Sequence, residues 1–364
     1  MIIGVPKEIK EGETRVAITP EGISTLIREG HTVLIEKNAG LLSGFTDRVY
    51  RDSGATILPQ AARAWKMADM IVKVKEPLPS EFKFFRPGLI LFTFLHLASV
   101  PQLARQLCKK QVTAIGYETV ELEDEKLPLL IPMSEVAGKV STQIGTRLLH
   151  RAKKLGKGLL LGGVTGTKKG VVTVVGGGVV GVNAAEVAIG LGAEVAIVDI
   201  NKDRLQRLHS KFEGRAKVIF STPENVAAWV KQSDLIIGAV LVAGDKAPKI
   251  VTKKMIQTME PGSVIVDVAI DQGGCVETAK PTSHKNPIFI KYGVIHYCVP
   301  NMPALTPMTS TEALTTATLP YIRKLAPLGV DQAVSKYPDL ANGLQIHNGK
   351  VVHPVIAKLF KSLS

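Results

Sequence analysis

The chain has 364 residues, 45% of them hydrophobic and 21% charged, with 45 Lys and Arg against 32 Asp and Glu for a net charge of +13. That length favours about two domains, and the apolar-to-charged balance excludes a disordered or fibrous chain. Aromatic residues make up only 5%, too few for a base-stacking surface. The basic residues fall as singles and pairs such as Lys109-Lys110 and Lys253-Lys254. With no basic tail or basic helix, a nucleic-acid partner is not expected.

Three cysteines, Cys108, Cys275 and Cys298, are too few and too widely spaced for a disulfide framework or a zinc cluster. No metal and a reducing, cytoplasmic setting are expected. The first residues lack a basic segment followed by an apolar one, so no signal peptide is expected. The longest apolar run, residues 89–95, is too short to span a bilayer and reads as a buried strand.

In chain order, short β-branched apolar runs predict strands at 2–5, 32–36, 70–74, 89–95 and 113–117. Helical patterns occupy 22–29, 60–67 and 101–110. This is one α/β domain. A long connecting helix follows at 134–154, with Ser134 as N-cap and Val136, Val140, Ile144 and Leu148 on one face. A second series of strands is expected at 171–175, 194–199, 217–221, 235–240, 263–271 and 294–299. Their near-continuous apolarity means a parallel sheet covered on both faces. Helices at 183–191, 224–231 and 253–259 lie between them, the last two opened by Thr222-Pro223 and Thr252. After a loop at 301–310, a helix at 311–324 should kink at Pro320. The remaining tail is too short for its own core and should rejoin one of the two domains.

The expected architecture is α/β, with two doubly wound Rossmann-like domains joined by the long helix. Residues 1–128 with 306–364 form the substrate domain. Residues 129–305 form an inserted dinucleotide-binding domain. Gly176, Gly178 and Gly181 form a GxGxxG turn between a strand and a helix. In such a turn the first glycine permits the bend, the second the approach of a pyrophosphate, and the third close helix–strand packing. The motif alone is weak. Its context strengthens it, because Asp199 ends the next strand, 23 residues after Gly176. A carboxylate there hydrogen-bonds the adenosine ribose and repels a 2′-phosphate, so NAD is expected over NADP. Lys202 and Arg204 lie close enough in sequence to weaken that preference.

Four further residues have the chemistry of an acid-substrate site, although each alone also fits an ordinary structural role. Arg15 offers a bidentate carboxylate fork. Lys75 ends one strand-like run, His96 ends another and titrates near neutrality, and Asp271 precedes Gly273-Gly274 beyond a strand.

Together these residues lie in motifs that resemble the alanine dehydrogenase / nicotinamide nucleotide transhydrogenase family. The motifs are Gly4-Val5-Pro6-Lys7-Glu8, Glu13-Thr14-Arg15-Val16-Ala17, Ser43-Gly44-Phe45-Thr46-Asp47, Lys73-Val74-Lys75-Glu76-Pro77, Leu95-His96-Leu97-Ala98 and Pro132-Met133-Ser134-Glu135-Val136-Ala137-Gly138. The glycine loop, residues 266–275, His296-Tyr297 and Asn301-Met302-Pro303 complete the set.

The resemblance implies reversible conversion of L-alanine, NAD and water to pyruvate, ammonium and NADH. It implies that Arg15 and Lys75 hold the substrate carboxylate and that His96 moves protons. Asp271 would be the charged partner of His96 across an interdomain cleft. Ser134, Asp199, Ser221 and Asn301 match positions that contact cofactor or substrate. A cytoplasmic homohexamer is implied as well. Departures from the family pattern are Ala304 for Gly, Met308 for Arg, Thr165 for Pro and Phe94 for Tyr, which bear on substrate preference and loop motion. Two other readings stand beside this one. In a transhydrogenase NAD-binding subunit, the Lys75/His96 pair would not be expected. A non-catalytic NAD-binding relative need not keep Arg15, Lys75, His96 and Asp271 together.

Overall fold

The structure is a computed structural model that describes residues 1–151, 155–240 and 247–360. The strands are β1 (Ile2–Val5), β2 (Thr32–Glu36), β3 (Thr56–Leu58), β4 (Met70–Val72), β5 (Ile90–Thr93), β6 (Thr113–Gly116), β7 (Val171–Val175), β8 (Glu194–Asp199), β9 (Lys217–Phe220), β10 (Leu235–Gly238), β11 (Val264–Asp267), β12 (Ile288–Lys291), β13 (Val294–Tyr297), β14 (Leu344–His347) and β15 (Lys350–Val351). The helices are α1 (Pro20–Arg28), α2 (Asp47–Asp52), α3 (Ala61–Met67), α4 (Pro101–Lys109), α5 (Ile131–Leu149), α6 (Val179–Gly190), α7 (Lys202–Phe212), α8 (Pro223–Gln232), α9 (Lys253–Ile256), α10 (Pro307–Lys336), α11 (Pro338–Gly343) and α12 (Pro354–Leu359).

The chain divides into two compact units, Met1–Met133 with Ala304–Ser364, and Ser134–Pro303. The first holds an eight-stranded sheet ordered β15-β14-β6-β5-β4-β1-β2-β3. Its strands run parallel from β6 to β3, while β14 lies antiparallel on β6. Every residue of β4 and β5 is buried, as two-sided cover requires. Trp65, Ile71, Leu91, Leu103 and Leu107 belong to the core on one side. The second unit holds a seven-stranded sheet ordered β12-β13-β11-β10-β7-β8-β9. It is parallel except for the edge pairing of β12 with β13.

Local chemistry accounts for the element ends. Thr222 and Thr252 accept hydrogen bonds from Asn225 N and Met255 N, as their sequence positions suggest. Helix α5 starts earlier than expected, at Ile131, which puts Pro132 in the first turn, where its missing N–H costs nothing. Ser134 is therefore inside the helix rather than its N-cap. The helix ends at Leu149, and the expected extension through 152–154 lies outside the described residues. Its deepest face is not the Val136–Leu148 stripe, since Ile144 and Leu148 are only partly buried. That face consists of small residues, Gly138, Ser141, Thr142 and Gly145. A Cβ on Gly138 would run into Val180 O of α6, so backbone approach decides the residue there.

Two other expectations shift. Helix α10 continues past Pro320 with helical backbone angles and breaks instead at Gly329, where φ is 71° and ψ is 176°. Only glycine reaches such a region at little cost. Strand β11 ends at Asp267, and residues Val268–Gln272 form a 3₁₀ turn, so Asp271 lies one turn beyond the strand.

Candidate active site

In the first unit, β1, β4 and β5 are parallel neighbours. The segments leaving their carboxyl ends carry Glu8 to Arg15, Lys73 to Glu76, and Phe94 to His96. A buried ion cluster ties the first two of these segments together. Lys73 Nζ lies 3.2 Å from Glu8 Oε2 and 3.1 Å from Glu81 Oε1, with all three side chains almost without exposure. Glu8 Oε1 accepts from Val74 N at 2.7 Å. Burial pushes the Glu8 carboxyl up despite the charge of Lys73. Burial also opposes the charge on Lys73, but Glu8 and Glu81 more than compensate and raise its pKa.

Arg15 is 2% exposed. Its Nε donates to Glu13 Oε1 at 2.7 Å and its Nη2 to Glu13 Oε2 at 2.6 Å. The fork that the sequence assigned to a substrate carboxylate is thus engaged by Glu13, and Nη1 lies 2.9 Å from Met133 Sδ. Lys75 and His96 share a neighbourhood around Phe94. Lys75 Nζ is 5.9 Å from the Phe94 ring centroid, and the Phe94 and His96 rings are 5.8 Å apart.

His96 is exposed, and its Nδ1 lies 3.6 Å from Glu76 Oε2. That separation is an ion-pair distance rather than a hydrogen bond. Glu76 itself is buried and also pairs with Lys10. Burial would raise the Glu76 carboxyl, but its contacts with His96 and Lys10 reverse this and hold it at about 2. The imidazole therefore faces a fixed negative charge at any working pH. In the sequence Glu13, Glu76 and Met133 stand only as parts of motifs, and their contacts with Arg15 and His96 depend on tertiary placement.

In the second unit the remaining candidates also sit at carboxyl ends of strands. After β7, Gly176 has φ 103°, and a Cβ on Gly181 would overlap Gly176 O. These two glycines are demanded by the fold. Gly178 is not, because a Cβ there would meet nothing within 4 Å. Its absence leaves room for a close ligand at the start of α6, where N–H groups and the helix dipole favour phosphate. These residues fit a dinucleotide.

Asp199, at the end of β8, is buried. Its Oδ2 accepts from Gly177 N at 2.6 Å and its Oδ1 from Asn201 N at 2.8 Å. Arg204 Nη1 reaches its Oδ2 at 3.0 Å. The carboxylate therefore organises the glycine loop, and Arg204 offsets part of its charge. Ser221 follows β9 and donates its backbone N–H to Asp199 O at 2.9 Å.

Asp271 is exposed on its 3₁₀ turn. Buried Asp267 anchors that turn by accepting from Ala269 N at 3.1 Å and Val276 N at 3.0 Å. Lys249 Nζ binds Gly274 O at 2.7 Å. Asn301, beyond β13, has left-handed backbone with φ 59°. Ser134 lies in the first turns of α5. Arg15, Lys75 and His96 thus belong to the first unit, and Asp271, Asn301 and the cofactor candidates to the second. Among the described residues there is no His, Cys, Asp and Glu group suited to a metal ion, and no helix is long and apolar enough to cross a membrane.

Two Rossmann-like sheets with chemistry at the strand ends, one of them carrying a dinucleotide loop, define a dehydrogenase-type α/β protein. The family described as "Alanine dehydrogenase/PNT, N-terminal domain" matches residues 4–137, and its C-terminal counterpart matches 141–354. The chain belongs to this alanine dehydrogenase/PNT family. It is 52% identical to a protein named alanine dehydrogenase from Staphylococcus epidermidis, covering 99% of this chain and 97% of that one. A protein of that name from Methanococcus maripaludis is also 52% identical, over 98% of this chain and 96% of its own. A solved L-alanine dehydrogenase matches with a TM-score of 0.97 at 49% identity, covering both chains completely. A transhydrogenase from Sinorhizobium meliloti matches at TM-score 0.85 and 23% identity, covering 97% of this chain and all of that one. That likeness shows the fold alone.

Two measurements check this geometry. Gly178→Ala should weaken NADH binding at least tenfold by fluorescence titration with little change in stability, because its Cβ enters open space. Gly181→Ala should instead cost about 1–3 kcal/mol of stability through overpacking. A Gly178→Ala protein that binds NADH like the parent would remove the loop from the cofactor site. The second concerns Glu76. Its folded-state pKa is depressed, so its stabilisation is complete above about 4.5 and lost as pH falls towards about 2. The stability gap between the parent and Glu76→Gln, read by urea unfolding, should shrink across that window. A gap that stays constant with pH contradicts the ion-pair assignment.

Proposed function

We infer that this chain catalyses the reversible NAD-dependent oxidative deamination of L-alanine to pyruvate and ammonium, in the cytoplasm. The observation that carries this reading is the 52% identity to a protein named alanine dehydrogenase over 99% of the chain. It is supported by Lys75 and a carboxylate-backed His96 sharing the surroundings of Phe94, and by Arg15 on the segment that leaves the neighbouring strand β1. The transhydrogenase likeness supports the fold and no such activity.

The glycine loop and Asp199 would hold NAD, which would supply the acceptor for the hydride on the substrate Cα. Every other task falls to side chains. Arg15 binds and orients the substrate carboxylate through its guanidinium donors; its fixed orientation comes from Glu13. Lys75 adds a second positive charge for the carboxylate or the adjacent carbonyl oxygen. His96 takes the proton from the attacking water and returns it to the leaving amine, the general acid–base role open to an imidazole. The Glu76 carboxylate lies 3.6 Å from the ring Nδ1 and faces the imidazole throughout. Asp271 is the charged partner for the amine or the water, and Asn301 contributes to substrate binding. Ser134, Gly176, Gly178, Gly181, Asp199 and Ser221 serve the cofactor. Asp199 favours NAD through the ribose, and Arg204 moderates the preference by neutralising part of that charge.

We also read the protein as a homo-oligomer, with a hexamer as the implied state. Sedimentation equilibrium should give a mass several times that of one chain, and a monomer mass rejects this.

The activity test is direct. Purified protein should form NADH from L-alanine and NAD, and consume NADH with pyruvate and ammonium, with NADP a poorer substitute. His96→Ala should lower turnover by about 10²–10⁴-fold while NADH affinity stays within about twofold. Activity with other amino acids but not alanine would move the substrate assignment. A His96→Ala enzyme with the parent's rate and pH profile would return His96 to a structural role.

A further inference from the structure

His96 adopts φ 49°, a left-handed backbone that a residue with a Cβ occupies at a cost. Something must hold it there. The Glu118 carboxylate, just after β6, accepts His96 N–H at 2.8 Å and Leu95 N–H at 3.1 Å and 3.2 Å. These are charge-assisted bonds, two consecutive amides turned onto one anion. Glu118 is held in turn by Gln345 of β14, whose Nε2 donates to Glu118 Oε1 at 3.1 Å and to Thr119 Oγ1 at 3.0 Å. Gln345 has no exposure. A Cβ at residue 116 would overlap its amide nitrogen, so Gly116 makes room for it. The charge of Glu118 is also felt by His353, from the segment before α12.

We propose that Glu118 is a positioning residue for the reaction: seated by Gln345, it holds the Leu95–His96 backbone in the turn that sets the His96 imidazole against Glu76. The proposal rests on the reading of His96 as the proton-transfer group. Without the anion, residue 96 returns to an ordinary negative φ, which swings its Cα–Cβ bond and carries the ring away from Glu76 Oε2. That oxygen is buried, is without a hydrogen-bond partner among the described residues, and lies beside the ring nitrogen. Displacement of about 1 Å at a reacting group costs up to about 10²-fold in rate. The Glu118 carboxylate is bonded to Leu95 N, His96 N and Gln345 Nε2, so its loss should act on turnover rather than on substrate affinity.

The test is a double-mutant cycle between residues 118 and 96, followed by steady-state kinetics, NADH titration and thermal unfolding. Glu118→Ala should lower kcat for L-alanine by about 10–100-fold, with KM and NADH affinity within about threefold of the parent. Glu118→Gln keeps an oxygen acceptor for both amides and should restore kcat to within about fivefold. In a His96→Ala background, Glu118→Ala should change the residual kcat by less than about twofold, because the residue it acts through is gone. Should Glu118→Ala fail to fold, Gln345→Met takes its place in the cycle, with a smaller loss that also vanishes without His96. Parent-like kcat in Glu118→Ala, or an equal loss in both backgrounds, overturns the positioning role and leaves Glu118 a structural residue. A parent-like rate in His96→Ala alone instead overturns the reading on which the proposal rests, and the proposal with it.

Discussion

A parallel sheet covered by other chain segments on both faces has no side chains to spare for chemistry along its strands. Each residue of β4, β5, β10 and β11 is buried, and any reactive group must wait until the strand ends. This constraint organises both units. Lys75, His96, Gly176, Asp199, Asp271 and Asn301 all leave carboxyl ends of strands, where the backbone turns outward and side chains are released from the core. The two sheets share the rule, although one carries a dinucleotide loop and the other a cluster of ion pairs.

Those ion pairs solve a second problem. Glu8, Glu13, Glu76 and Glu81 are all buried, and each faces a cation: Lys73, Arg15, Lys10 or Lys73 again. Removing one partner from such a pair strands a charge away from water, which costs far more than the pair itself contributes. The carboxylates therefore restrict where Lys73, Arg15 and the following segments can lie. They also remove negative charge from the surface of a chain with a formal charge of +13, leaving an exterior that attracts small anions.

Much of this was legible in sequence. Strands β7 and β8 match their expected bounds because β-branched apolar runs there end at a glycine turn and an aspartate. The caps at Thr222 and Thr252 were readable from local hydrogen-bonding capacity alone. What escaped depends on distant partners. Strands β12 and β14 were not expected, since each is an edge or antiparallel addition with mixed polarity. Pro320 is the kink that local sequence suggests, yet Gly329 provides the break because only its backbone can turn that way. Asp271 was placed at a strand end, whereas buried Asp267 stops the strand a turn earlier by binding the amides that follow. The engagement of Arg15 by Glu13 and the seating of Glu118 by Gln345 have no local signal.

The separation of β6 from β14 also bears on how the chain comes off the ribosome. Gln345 meets Glu118 across 227 residues of sequence, and the whole second unit is synthesised in between. At about 5–20 residues per second, the β6 edge waits roughly 10–50 s for its antiparallel neighbour. During that interval the second unit has all of its own strands and can close its sheet first, although its sequence comes later than most of the first. The first unit begins the chain and is the last to be completed. Until β14 arrives, its unpaired β6 edge is an open template for pairing with another chain.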